Sequence, residues 1–534
     1  MAADIPKGRA GVTPKPRVPA RPAKPAAVVG APASAARPSP ASKAPAKGMP
    51  PKIAAPKAAP AAAMPKASPQ PNSAQALRDA RGRESKRLFA LGAALHRQGR
   101  IDDAVRAYGR AIVFDPAFAD AYANLGVALR ALGKAEAAAA CAARAIALQP
   151  GRANFHSNLG NALRDQGRHE DAATVLQQAL RLAPDAPEIL YNFGLVLRDM
   201  GRLDTALSCF DAVLKSRPDH AECRYDRALA LLQGGDLKRG FAEYESRWKL
   251  RRNPPRAFDK PRWNGQALTG KTLLIHAESG FGDAIQFARY AALAKKKSGA
   301  TLVLESPAEL ARLLETIEAV DRIAIRGGPL PPFDAHIPMM SLPALMETVA
   351  ATIPAAVPYL GAPEIRAVAL PNLDPGALKV GIVWTGNSTA RADQHRSCPF
   401  VRFLDLAHIP GVVLYGLQTG DAAGDVRRHA ADPLVFETGP LLADFADMAS
   451  AIVQLDLVVS VDTAVAHLAG ALGKPVWTLL PDVADWRWTA RGASTPWYPS
   501  MRLFRQKTRG DWNEVMAKVG AELRKLSSAR AKPA

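Results

Sequence analysis

The chain has 534 residues, 70 of them Lys or Arg and 49 Asp or Glu, which leaves a formal charge of +21. That length predicts about three folded units with sizeable cores, and four scattered cysteines without a C-x-x-C pair argue against a disulfide scaffold or a zinc ribbon. No stretch approaches the roughly 18 uninterrupted apolar residues of a membrane helix, and no apolar segment of secretory type follows the Met-Ala-Ala-Asp start, so a soluble, cytoplasmic protein is expected.

Residues 1–72 hold twelve of the basic residues, one acid (Asp4) and 17 of the 45 prolines, without a Leu, Phe, Tyr or Trp. Such a segment cannot bury enough apolar surface to offset chain ordering, so residues 1–75 read as a disordered Pro/Ala/Lys-rich tail. The first 72 residues carry +11 of the +21, and the remainder is an ordinary basic body. A basic tail can contact polyanions, but this one lacks the interleaved aromatics on which bases stack. A solubilising tether is therefore preferred over nucleic-acid binding.

Next the sequence becomes periodic over residues 84–250. Gly92, Gly126, Gly160 and Gly194 lie 34 apart, as do Gly99, Gly133, Gly167, Gly201 and Gly235, and the prolines 116, 150, 184 and 218. This is the tetratricopeptide (TPR) pattern of paired helices. The first glycine is small where two helices touch, the second ends the first helix, and the proline stops the second. A degenerate fifth unit carries Ala228 and Gly240 in exchanged places. Asn124, Asn158 and Asn192 form a further ladder at the slot that lines the concave face of such a solenoid. Amides there can bond an extended peptide without reading its sequence; the alternative is that they bond within the helix pair. The repeats, Ala121-Tyr122-Ala123-Asn124-Leu125-Gly126 for example, resemble those of the protein O-GlcNAc transferases, which implies a ladder that grips an acceptor polypeptide.

From about Trp263 short apolar runs alternate with amphipathic stretches, the pattern of parallel βαβ layers. Strands are expected at Thr272–Ala277, Thr301–Leu304 and Ala335–Met340, then, after a Pro/Ala-rich connection, at Lys379–Trp384, Val412–Leu417, Leu434–Glu437, Leu455–Val461 and Pro475–Leu480. Two doubly wound units follow, 263–372 and 375–526, with a nucleotide-type ligand at the carboxyl ends of their strands. The fold class is thus an α-solenoid followed by α/β.

Three loops carry candidate chemistry. In Glu278-Ser279-Gly280-Phe281-Gly282-Asp283 the glycines invite a dinucleotide reading, with Glu305 as the ribose residue, but Ile285 replaces the third glycine and Asp283 sits where a pyrophosphate belongs. Asp283 is instead placed as a general base beside a cleft, or as a helix cap. In Ser460-Val461-Asp462-Thr463-Ala464-Val465-Ala466-His467, a strand ends at a helix start and His467 follows Thr463 by one turn. The Thr463 hydroxyl, the imidazole and the helix amides can converge on a diphosphate. In the third loop, Trp384-Thr385-Gly386-Asn387 runs on to Asp393, His395, Arg396 and Ser397, offering Asn387 and a guanidinium, Arg396, to a diphosphate. The aromatic cluster Asp485-Trp486-Arg487-Trp488 with Trp497-Tyr498 either lines a cleft or plugs a domain base.

Residues 263–525 resemble the glycosyltransferase family that includes the lipopolysaccharide heptosyltransferases. The resemblance implies a GT-B fold of two Rossmann-like domains, with Asp283 of the Gly282-Asp283 pair as catalytic base. Asp462-Thr463 and His467 then match the family's Asp-Thr-Gly-x-x-His phosphate motif, with Ala464 in place of the glycine, and Arg396 is a loose counterpart of its basic residue. Joined to the repeats, the chain resembles bacterial TPR-glycosyltransferases. The expectation is an inverting transfer from a nucleotide sugar to a polypeptide Ser or Thr hydroxyl presented by the TPR groove. No cofactor beyond the donor is implied, and no Asp/Glu/His grouping suggests a metal. The alternative is a TPR interaction scaffold whose second half binds a nucleotide sugar without transfer.

Overall fold

A computed structural model describes residues 73–363, 368–372, 374–386 and 395–530. The tail expected over 1–75 lies outside the described residues up to position 72, and residues 73–75 begin helix α1. Ten helices, α1 (Ser73–Arg97), α2 (Ile101–Phe114), α3 (Ala119–Ala131), α4 (Ala135–Leu148), α5 (Ala153–Asp165), α6 (His169–Leu182), α7 (Pro187–Asp199), α8 (Leu203–Ser216), α9 (Ala221–Gln233) and α10 (Leu237–Tyr244), form five pairs of a TPR solenoid.

The glycines do the two jobs their spacing implies. Gly99, Gly133, Gly167, Gly201 and Gly235 all have φ between +69° and +86° in the turn within a pair, a conformation that costs residues with a Cβ. A Cβ on Gly160 would lie 2.6 Å from Leu176, and one on Gly194 2.7 Å from Phe210, so these positions let the paired helices approach. In the fifth pair the exchange is real: Ala228 is fully buried, and a Cβ on Gly240 would meet Leu232 at 2.7 Å.

Two wholly parallel sheets follow. β1 (Thr272–His276), β2 (Thr301–Ser306), β3 (Arg322–Ile325) and β4 (Ala335–Pro338) lie in the order β3-β2-β1-β4. β5 (Leu378–Val383), β6 (Val412–Gly416), β7 (Val435–Glu437), β8 (Leu457–Val461), β9 (Val476–Leu480) and β10 (Met501–Arg505) lie in the order β10-β9-β8-β5-β6-β7. The second order is that of a dinucleotide-binding sheet, and its reversal lies between β5 and β8. β3 and β10 were not expected from the sequence: both are short and carry Arg residues at alternate or outer positions, which dilutes the apolar signal. The spacing of Gln286, Phe287, Tyr290 and Leu293 predicts one helix after β1, and the structure breaks it into Phe281–Ala288 and Ala291–Ser298. At the break, Arg289 turns inward to bond Trp497 O and the Tyr359 hydroxyl.

One face of the small sheet, Leu274, Val303 and Ala324, is covered by Phe258, Leu330 and Phe333. The other belongs to a core continuous with the last TPR pair and the second α/β unit. Phe241 of α10 inserts edge-on among Phe287, Trp486 and Trp497, so solenoid and both sheets share one apolar seam. The buried Arg247, just after α10, donates to both oxygens of Glu278 at 2.9 and 3.0 Å, tying the solenoid to the glycine loop. No helix among the described residues is long and apolar enough to cross a membrane.

Candidate functional site

The carboxyl ends of β1, β5 and β8 face one cleft of about 970 Å³, within the ~300–1,000 Å³ usual for small-molecule sites. From the first α/β unit it is lined by Gly280, Gly282 and Asp283; from the second by Gly386, Arg396, Asp462, Thr463, His467, Asp485 and Arg487. Two helices meet here. Phe281–Ala288 and Ala464–Ala471 approach so closely at Gly282 that a Cβ there would lie 2.9 Å from His467 Cδ2 and 3.6 Å from Ala464 Cα. Ala464, where the heptosyltransferase motif has glycine, is thus accommodated by a glycine on the facing helix.

Asp283 both caps and faces the cleft. Its Oδ2 accepts from Gly280 N at 3.0 Å at the start of its own helix, and its Oδ1 accepts from Arg487 Nη2. Arg487 also donates to Asp485 Oδ1 at 2.8 Å and to Gln286 Oε1 at 2.8 Å, and lies over the Trp486 ring. Burial opposes its charge, but Asp485 and Asp283 outweigh it and raise its pKa.

Asp462 is buried and accepts from Arg396 Nη1 at 3.2 Å; burial raises its carboxyl above the ordinary range while Arg396 pulls the other way. Thr463 occupies the N-cap position of the Ala464–Ala471 helix, its hydroxyl 3.0 Å from Ser460 Oγ. The first-turn amides of Ala464 and Val465 precede the intrahelical ladder, whereas Ala466 N already donates to Thr463 O at 3.1 Å. His467 is buried, stacked on Trp488 with centroids 5.0 Å apart, and its Nδ1 is 2.9 Å from the Tyr498 hydroxyl. Burial, then Arg487, Arg289 and Arg396, hold its pKa well below the usual histidine range, so it is neutral at pH 7.

Within the aromatic cluster Trp486 and Trp497 plug the junction with the solenoid, whereas Asp485 and Arg487 line the cleft and the buried Trp488 backs His467. Asn387 and Asp393 lie outside the described residues. Thr385 bonds Ser397 at 2.7 Å, and His395 Nε2 is 2.9 Å from Arg509 Nη2. Asn124, Asn158 and Asn192 are half-buried and do not line this cleft; Asn192 donates to Ser157 Oγ at 3.0 Å. Arg487, unassigned by the sequence reading, is the cation that holds Asp283. A basic residue between two tryptophans near an Asp was visible, but its partner 204 positions away was not.

A second cleft, of about 730 Å³, shares Arg396 and Asp485 with the first and is roofed by Arg130, Arg164 and Arg198 of α3, α5 and α7. Among the described residues no group of three or more His, Cys, Asp or Glu is placed to hold a metal ion.

Comparison with known proteins agrees with this layout. Residues 92–133 and 160–197, 119–152 and 191–257 match tetratricopeptide repeat families. Residues 439–513, which include Asp462, Thr463, His467 and Arg487 but not Asp283, match glycosyltransferase family 9 (heptosyltransferase). Protein FlbA of Caulobacter vibrioides is 29% identical over 326 residues, covering 55% of this chain and 54% of FlbA, so the match spans about half of that relative. Among solved structures, TTC0263, a thermophilic TPR protein of Thermus thermophilus, aligns at 24% identity over 32% of this chain and 93% of its own, with a TM-score of 0.30. Pseudomonas aeruginosa pilF aligns at 24% identity over 31% and 76%, with a TM-score of 0.28. Tetratricopeptide repeats followed by a family 9 domain that carries the strand–helix unit of Thr463 and His467 fit a TPR-containing glycosyltransferase.

Proposed function

We propose that the chain moves a sugar from a nucleotide-sugar donor to a polypeptide hydroxyl, by inversion in a GT-B cleft and without a metal or other cofactor. The observation that carries this reading is the convergence of Asp283 from the first α/β unit with Thr463, His467 and Arg396 from the second in one cleft. A general base and a diphosphate cradle on opposite walls are what a single displacement at an anomeric carbon requires.

In the reaction the acceptor oxygen bonds the anomeric carbon while its proton passes to an Asp283 oxygen. The bond from that carbon to the diphosphate breaks, and its electron pair leaves with the nucleoside diphosphate. Each Asp283 oxygen has one partner, and an ionised carboxylate has about four lone-pair sites, so acceptor capacity toward the cleft is left. Tyr498, whose burial raises its pKa well above the usual, keeps its proton; its hydroxyl lies 2.9 Å from His467 Nδ1, and the mechanism uses the tautomer in which Nδ1 accepts. The imidazole's other nitrogen then carries its hydrogen toward the leaving phosphate, alongside the Thr463 hydroxyl, the helix amides and Arg396. The solenoid holds the acceptor, raising its local concentration at the cleft. A cytoplasmic enzyme acting on protein follows from this reading.

The rival, a scaffold that binds nucleotide sugar without transfer, is favoured by one observation: Asp283 is already engaged as a cap and by Arg487. Titration calorimetry with a panel of nucleotide sugars, followed by mass spectrometry of candidate acceptors incubated with the donor that binds, separates the two. Transfer to Ser or Thr supports the enzyme; tight donor binding with no sugar on any acceptor supports the scaffold.

A further inference from the structure

The second cleft lies between the solenoid and the loops of the large sheet, and its roof is a ladder. Arg130, Arg164 and Arg198 stand 34 residues apart, at the end of the first helix of three successive pairs. Each reaches across to an aspartate of the next pair: Arg130 Nε to Asp165 at 2.7 Å, Arg164 Nε to Asp199, and Arg198 Nη1 to Asp226 at 2.6 Å. For Arg130 and Arg164 this uses the Nε–H alone, and among the described residues their terminal Nη groups have no hydrogen-bond acceptor. A guanidinium carries five N–H donors and no acceptor, and its planar edge fits a carboxylate in a two-bonded pair.

His169, at the cleft wall, is buried, with Nε2 3.6 Å from Asp482, whose carboxyl burial would raise but His169 helps hold below the usual range. The opposite wall adds Arg509, packed over the Gly167 turn of the solenoid, beside Asp482 and Asp485, so that with the ladder's own Asp165 and Asp199 five arginines face four aspartates.

We infer that this cleft is an acceptor subsite for an acidic, extended polypeptide segment, whose carboxylates seat on the free guanidinium edges of Arg130 and Arg164. The inference rests on the transferase reading and names the chemistry of its acceptor. Neighbouring helices pack about 10 Å apart, and a chain in the extended polyproline II form advances about 3.1 Å per residue with about three residues per turn, so acidic side chains at every third position share one face and meet successive rungs. Two free edges set about one helix spacing apart are too widely separated for the oxygens of one phosphate to bridge. The chain's own residues 1–72, at +11, have the wrong sign to occupy it. Because Arg396 and Asp485 line both clefts, a segment held under the ladder delivers a neighbouring hydroxyl to Asp283.

The test uses the full chain and fluorescein-labelled peptides of repeating Glu-Gly-Ser, with Gln-Gly-Ser and Lys-Gly-Ser peptides of equal length, followed by anisotropy. The Glu peptide is expected to bind at least about tenfold tighter than the Gln peptide, with affinity that falls as salt rises and no binding of the Lys peptide. In Arg130→Gln/Arg164→Gln that preference is lost; Arg509→Gln, on the other wall, weakens the Glu peptide independently should the double variant fail to fold. Equal binding of Glu and Gln peptides by the native chain, or a preference unchanged in a folded double variant, overturns the inference. Glu-peptide binding that depends on the ladder, with no sugar passed to its serines from a bound donor, keeps the subsite and removes the transferase reading instead.

Discussion

Arg487 Nη2 donates to Asp283 Oδ1, an ion pair that joins the glycine loop of the first α/β unit to the tryptophan-rich loop of the second, 204 residues away. Through Asp485 on its other side, Arg487 fixes the carboxylate across the mouth of the cleft. The relationship makes the proposed base a product of closure between two domains rather than of the loop that carries it.

Replacing Arg487 with Met leaves Asp283 and Asp485, 22% and 36% exposed, without their cation. Solvent reaches both carboxylates, so the loss falls short of the cost at a fully buried pair, about 1–3 kcal/mol; the urea midpoint should fall and transfer should be lost. A variant with the native midpoint would show that the pair is ornamental to the fold.

The close approach of the two site helices gives a second prediction. Gly282→Ala places a Cβ 2.9 Å from a His467 ring that Trp488 and Tyr498 already confine. Overpacking of this kind costs about 1–3 kcal/mol, and moving the imidazole should weaken donor binding at least about tenfold. Gly280→Ala is the control, because its Cβ would sit at an ordinary 3.7 Å from Asp283. Equal donor affinities for the two variants would contradict the contact.

Two buried histidines make stability depend on pH. Burial, with His336 and Arg256 alongside, pushes the His276 pKa down to about 3, and His467 is depressed well below its usual value. Both folded-state values lie below the unfolded 6.5, so on acidification the unfolded chain binds protons first. The stability these neutral rings contribute is present above about pH 6.5 and is lost as pH falls, by roughly 1.4 kcal/mol per pH unit for each. Denaturant unfolding at neutral and mildly acidic pH reads the slope, and His276→Phe should remove about one histidine's share. An unchanged slope in that variant would refute the assignment.

Much of this fold was legible because it repeats. A glycine at a fixed interval with φ above +60°, and a second that a side chain of Leu176 or Phe210 would otherwise strike, leave a 34-residue imprint that survives substitution elsewhere. The parallel strands were legible as apolar runs, except β3, whose run after Arg322 is only three residues long, and β10, which Arg502 interrupts. Of the site, Asp283, Asp462, Thr463, His467 and Arg396 do line one cleft, since each follows a strand at the carboxyl edge of its sheet. What the sequence hid were pairings: Arg487 with Asp283 depends on domain closure, and Arg130 with Asp165 on the angle between successive helix pairs. The arginine ladder shared the 34-residue period, yet an arginine at a helix end reads as solvated charge until the facing domain is known. The asparagine ladder, more conspicuous by residue type, spends one of its amides, that of Asn192, on Ser157.

The central claim, that Asp283 takes the acceptor proton in a cleft whose far wall holds the donor diphosphate, is tested most directly by Asp283→Asn. Transfer from the nucleotide sugar that binds the native chain should fall at least about 100-fold, while the donor's dissociation constant, measured by calorimetry on the same sample, stays within about threefold. Turnover equal to that of the native chain would contradict the account.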